Sequence, residues 1–174
     1  MAEVVDDLPP DSDELPGGVV ATLDRLCHHF EIDSVVVATD PSAHIAYARW
    51  AVRRRLDVLL DKPISVRNMA AFEGRQAAGL LGDYESLRAE IEAVGERNRP
   101  LVGVMCQRRF HPAFIHIRNL IQEVTSFTDC PITSISSFHS DGQWRMPNDL
   151  VELDYHAYNR GYGKGSHSGY HFFD

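Results

Sequence analysis

The sequence has no stretch of the ~18 consecutive apolar residues that a membrane-spanning helix needs, and no leader that runs from basic to apolar to small residues. Neither a membrane span nor a secretory signal is expected, so the reading is of a cytoplasmic chain. Basic charge is scarce: 17 Lys and Arg stand against 25 Asp and Glu, for a net charge of −8. That balance argues against a general nucleic-acid binder. The cysteines, Cys27, Cys106 and Cys130, are odd in number and widely spaced, which fits reduced thiols, each most simply a small buried hydrophobe. Also missing is a Gly-x-Gly-x-x-Gly at the end of an apolar strand, the arrangement whose backbone amides and helix dipole hold a pyrophosphate. The pair Gly17-Gly18 follows an acidic coil instead.

The most ordered pattern runs from Ser34 to Ser65. Val35-Val36-Val37-Ala38 is a continuous apolar run, expected for a parallel strand buried on both faces. A turn at Thr39-Asp40-Pro41 follows. From about Ser42 the positions Ile45, Ala48, Ala51, Val52 and Leu56 recur at helical spacing, with Arg49, Arg53, Arg54 and Arg55 left in water. A second apolar run, Val58-Leu59-Leu60, ends in Asp61-Lys62-Pro63. Strand, crossover helix and strand make a unit whose ligand crevice lies beyond the carboxyl ends of the strands. Thr39-Asp40-Pro41 and Asp61-Lys62-Pro63 therefore belong to one rim.

These residues resemble the Gfo/Idh/MocA family of nicotinamide-dependent oxidoreductases. Ala38-Thr39 followed by His44 is similar to the family's Ala-Thr-Pro turn with its later His, and Asp61-Lys62-Pro63 to its Glu-Lys-Pro. Gln107-Arg108-Arg109-Phe110-His111-Pro112 looks like Asn-x-Arg-Phe-x-Pro, and Gly169-Tyr170-His171-Phe172-Phe173-Asp174 like Gly-x-His-x-x-Asp. The resemblance runs from about Ile32 to the last residue. It implies an α/β fold: a partial Rossmann-like parallel sheet with helices, followed by the start of an α+β domain with a mostly antiparallel sheet. The implied divisions are an acidic tail and short helix over 1–30, the C-terminal half of an NAD(P)-binding domain over 31–128, and the beginning of a substrate or dimerisation domain over 129–174. Set against the family, the chain looks truncated at both ends.

The remaining segments are read in order. Residues Met1 to Gly18, acidic and rich in proline and glycine, predict a mobile tail, and Thr22 to Phe30 a short helix. Ile64 to Gly82 is longer than the family's usual connection and reads as an inserted loop or loose helix. Asp83 to Asn98 predicts a helix with Asp83 as N-cap and a stripe of Tyr84, Leu87, Ile91 and Val94. Leu101 to Cys106 predicts a third buried strand. Pro112 is placed to open a helix whose apolar face is Phe114, Ile117, Leu120, Ile121 and Val124. Ile132 to Phe138 predicts a strand of the second domain.

Hydride transfer needs a cofactor, NAD or NADP, together with protein groups that position the substrate, stabilise charge and move a proton. Lys62 is the candidate for stabilising a reacting oxygen as it becomes an alkoxide, with Pro63, through a plausible cis bond, fixing its backbone. His171 is the candidate for proton transfer, by its place in the family motif. His167 stands where the family commonly has Asp; one helical turn from His171, it could bond a substrate hydroxyl but offers no fixed negative charge. Thr39, Pro41, His44, Asp61, Lys62, Pro63 and Arg109 are the candidates for cofactor contact. The partner implied is a small polyol or sugar-like substrate, with homo-oligomers through the second-domain sheet. No metal is expected, although His167, His171 and Asp174, with His156 upstream, have metal-ligand spacing and keep a hydrolase or lyase as an alternative. The other alternative is a non-catalytic nucleotide-binding or assembly module.

Overall fold

The computed structural model describes Leu8, residues 12–136, Phe138 and residues 159–162. The first helix, α1, spans Gly17–Phe30 and starts five residues earlier than the sequence pattern places it. Pro16 stands just outside its first turn and accepts from Val20 N through its carbonyl, so the Pro-Gly-Gly stretch opens the helix instead of closing a coil. Strand β1 follows at Ser34–Val37, helix α2 at His44–Arg53 after a single 3-10 turn, and strand β2 at Asp57–Leu60. Then come α3, Gly74–Ala93, β3, Val102–Val104, and α4, Pro112–Thr128.

The sheet has the order β1-β2-β3, with both pairs parallel and Val37 level with Leu60 and Leu60 with Val104. This is the parallel α/β arrangement expected from the two short apolar runs and the helix between them. The α2 stripe is buried as its spacing requires: Ile45, Ala48, Ala51, Val52 and, just beyond the helix, Leu56 all lie in the core with Trp50. They pack on Val35, Val37, Val58 and Leu60, and Val19 of α1 and Leu87 of α3 join the same cluster.

The expectation of strands covered on both faces is not met. Leu60 is 0% exposed, but Leu59 is 43% and Val36 65% exposed. Side chains alternate along a strand, and the core residues of α1, α2 and α3 all gather on the side of Val37 and Leu60. Val36, Leu59 and Gly103, level with one another, form the opposite and open side.

Four other expectations change. Asp83 is not an N-cap but an interior residue of α3, which begins nine positions earlier, so the helical alternative for the segment Ile64 to Gly82 holds from Gly74 on. Its carboxylate is buried and accepts hydrogen bonds from Arg67 and from Ser65 Oγ. The arginines at the end of α2 are not simply solvated. Arg49 pairs with Asp13 and Glu90, Arg53 with Glu14 and Glu90, and Arg54 with Asp24, which also accepts from Trp50 Nε1 at 3.0 Å. The stretch around Asp13 and Glu14 is thus held against α2 and α3. Finally, Pro112 opens α4 as expected, but Ile117, Leu120 and Val124 of its apolar face are exposed. Residues 131–136 form neither helix nor strand, and the exposed Ile135 has no strand to pair with among the described residues.

Candidate functional site

The two strand-end turns lie at one rim because β1 and β2 are parallel and in register. After β1, Asp40 caps the 3-10 turn Pro41–Ala43 by accepting from Ser42 N at 2.9 Å and Ser42 Oγ at 2.6 Å. Pro41 takes its first position, where a missing N–H costs nothing. After β2, Asp61 N extends the ladder by donating to Val37 O, and the Asp61 carboxylate accepts from Lys62 N at 2.8 Å. The Lys62-Pro63 peptide bond is cis.

His44 joins the two turns from beneath. It is 0% exposed, with Nδ1 2.7 Å from Pro63 O and Nε2 3.2 Å from Thr39 O. A neutral imidazole carries one N–H and donates to one of these carbonyls, while an imidazolium donates to both. The ring offers no surface to a ligand, so its contribution is to fix the spacing of the turns that carry Thr39 and Lys62.

A cleft of about 360 Å³ opens beside Lys62. Its walls are Lys62, Pro63, Ile64 and Ser65 after β2, Leu80 and Tyr84 on α3, and Val104, Cys106 and Arg109 at and beyond the end of β3. Met105 N donates to Leu60 O, which brings the third strand end level with the second. Two cations, two hydroxyls and an apolar wall therefore meet in one concavity, a donor set suited to an anionic or polyhydroxylated ligand. Cys106 has a free thiol there.

The structure brings Lys62, Pro63 and Arg109 together in this cleft. Thr39 and Pro41 lie on the neighbouring turn and do not line it, and Asp61 is turned back onto its own chain. His167, His171 and the upstream metal candidate His156 fall outside the described residues, as does Asp174. Among the described residues no group of three metal-ligating side chains is present, and no helix is long and apolar enough to cross a membrane. Sequence reasoning missed Ser65, Leu80 and Tyr84 as wall residues. Tyr84 is visible in the sequence only as a member of an apolar stripe, and Leu80 only as part of an inserted loop or loose helix.

Residues 3–80 match the model of the Gfo/Idh/MocA family, described as an oxidoreductase family with an NAD-binding Rossmann fold. No match to a curated protein or to a solved structure was found.

Proposed function

We propose that this chain, which belongs to the Gfo/Idh/MocA family of oxidoreductases, holds the nicotinamide end of NAD or NADP at the rim cleft and transfers hydride to or from a polyol, sugar or sugar-like carbonyl. The observation that carries the reading is the meeting of Lys62 and Arg109 in one cleft at the carboxyl ends of parallel strands, where ligands of open α/β sheets bind. At about 360 Å³ the cleft is near the small end of ligand sites. It suits one end of a dinucleotide. Ser65 and Tyr84 supply hydroxyls for ribose or amide groups, and Ile64, Leu80 and Val104 supply an apolar wall. The sequence has no glycine-rich phosphate loop.

The bound cofactor would accept or donate the hydride. In the direction of alcohol oxidation, the substrate loses hydride from carbon and a proton from oxygen. Lys62 would hold the reacting oxygen and stabilise its negative charge, an effect strengthened by a site that excludes water. Arg109 would orient an anionic or hydroxyl group. By family resemblance His171 would take the proton and His167 would bond a substrate hydroxyl. Asp61 would not contact ligand directly but would keep the Lys62 backbone in place through its hydrogen bond to Lys62 N.

Fluorescence titration of the purified chain with NADH and NADPH, beside Lys62→Ala, tests this reading. Saturable binding that weakens about tenfold in the variant is expected from loss of a charge-assisted hydrogen bond. Binding of neither nucleotide by the folded protein would overturn the reading. A screen of polyols for nucleotide reduction would then identify the substrate class.

A further inference from the structure

Residues Arg160–Tyr162 lie far along the sequence from the rim, yet they are built into it. Met69 N donates to Arg160 O at 2.8 Å and Ala71 N to Gly161 O at 2.9 Å. Tyr162 is buried, and the Arg160 guanidinium lies 3.6 Å from Asp40 Oδ1 on the turn after β1. The contact allows no side chain at its centre. Gly161 has φ 69°, and a Cβ there would come within 2.9 Å of Met69 Cα, which is backbone and cannot swing aside. Met69 is itself left-handed, with φ 61°. The receiving loop is anchored in turn, since Arg67 pairs with the buried Asp83 and lies across Gly79, where a Cβ would meet its Nε at 2.6 Å.

The segment thus ties the turn after β1, at Asp40, to the turn over residues 68–72 that follows the cleft wall Lys62–Ser65, at Met69 and Ala71. His44 joins the first of these turns to Pro63 from below. We infer that Arg160–Tyr162 is a strap across the rim, with Gly161 and Arg160 as positioning residues that hold the turns at the separation nucleotide binding requires. The inference rests on the oxidoreductase reading for its ligand. The family match ends at residue 80 and does not reach these residues.

The test uses the full chain and NADH as probe. Gly161→Val should weaken NADH binding about tenfold and speed amide exchange at Met69 and Ala71 by at least about as much, with the amides of β2 unchanged. Arg160→Gln, which leaves the backbone bonds intact, should weaken NADH about threefold, and Arg160→Lys should restore it, since a 3.6 Å ion pair needs charge and not a bidentate fork. The Arg160 pair decides the matter if Gly161→Val does not fold. Unchanged NADH affinity in Gly161→Val and Arg160→Gln would overturn the strap, while Lys62→Ala still lowering affinity would leave the oxidoreductase reading intact. Failure of the wild-type chain to bind NADH would remove both.

Discussion

Replacing His44 by leucine takes both ring nitrogens from between Thr39 and Pro63 and leaves two carbonyls facing apolar side chain. An unmade hydrogen bond at a buried group costs about 1–3 kcal/mol. His44→Leu should therefore lose about 2 kcal/mol in urea unfolding and weaken NADH binding as well, whereas His44→Gln, whose amide still donates to one carbonyl, should lose clearly less. Equal losses in the two variants would show that the ring acts by volume and not by hydrogen bonding. The sequence showed His44 only as a member of a motif. That both its nitrogens face carbonyls nineteen and five residues away could not be read from spacing, because one partner comes from the next strand end. Asp83 was misread for a related reason. A carboxylate ahead of an apolar stripe has the signature of an N-cap, and only the fold reveals that Arg67 and Ser65 satisfy it inside a helix.

At the scale of elements, periodicity was informative wherever packing is local. The α2 stripe and the paired runs Val35–Val37 and Val58–Leu60 come out as expected, since a helix between two parallel strands must bury the face it turns to them. Periodicity did not reveal what covers the second face of the strands, because an apolar residue looks the same whether or not anything packs on it. The consequence is a contrast between neighbours. Leu60→Ala should cost about 3 kcal/mol, in the usual range for a fully buried leucine, and Leu59→Ala less than about half of that. Chemical denaturation of the two variants checks it, and similar losses would mean that the open face is covered in solution. The stripe on α4 was also legible as a helix and illegible as an exposed one; Phe127 at its end is 91% exposed.

The whole molecule is held together by charge as well as by its core. Arg49 and Arg53 of α2 and Arg54 just beyond it gather Asp13, Glu14, Asp24 and Glu90 from three parts of the chain. Hydrogen bonding from Arg53 lowers the Glu14 carboxyl and that from Arg54 lowers Asp24. Burial acts to raise Glu90, but hydrogen bonds from Arg53 and Arg49 outweigh it and leave it lowered too. A carboxyl lowered in the folded state stabilises the fold above its unfolded pKa and stops doing so as pH falls through its folded value. Stability should therefore fall by about 1–2 kcal/mol from pH 5 to pH 3, a modest amount because the pairs are half exposed. Urea midpoints across that interval measure it, and Arg53→Ala should flatten the profile; an unchanged slope would sink the assignment. The strap has a consequence of another kind. The bond between Ala71 and Gly161 closes a loop of about ninety residues, whereas β1, α2 and β2 assemble from neighbours in sequence, and chain entropy charges more for the longer closure. The strap contact is then the late-forming and early-opening part of the molecule, able to come apart and re-form while the three strands stay folded beneath it.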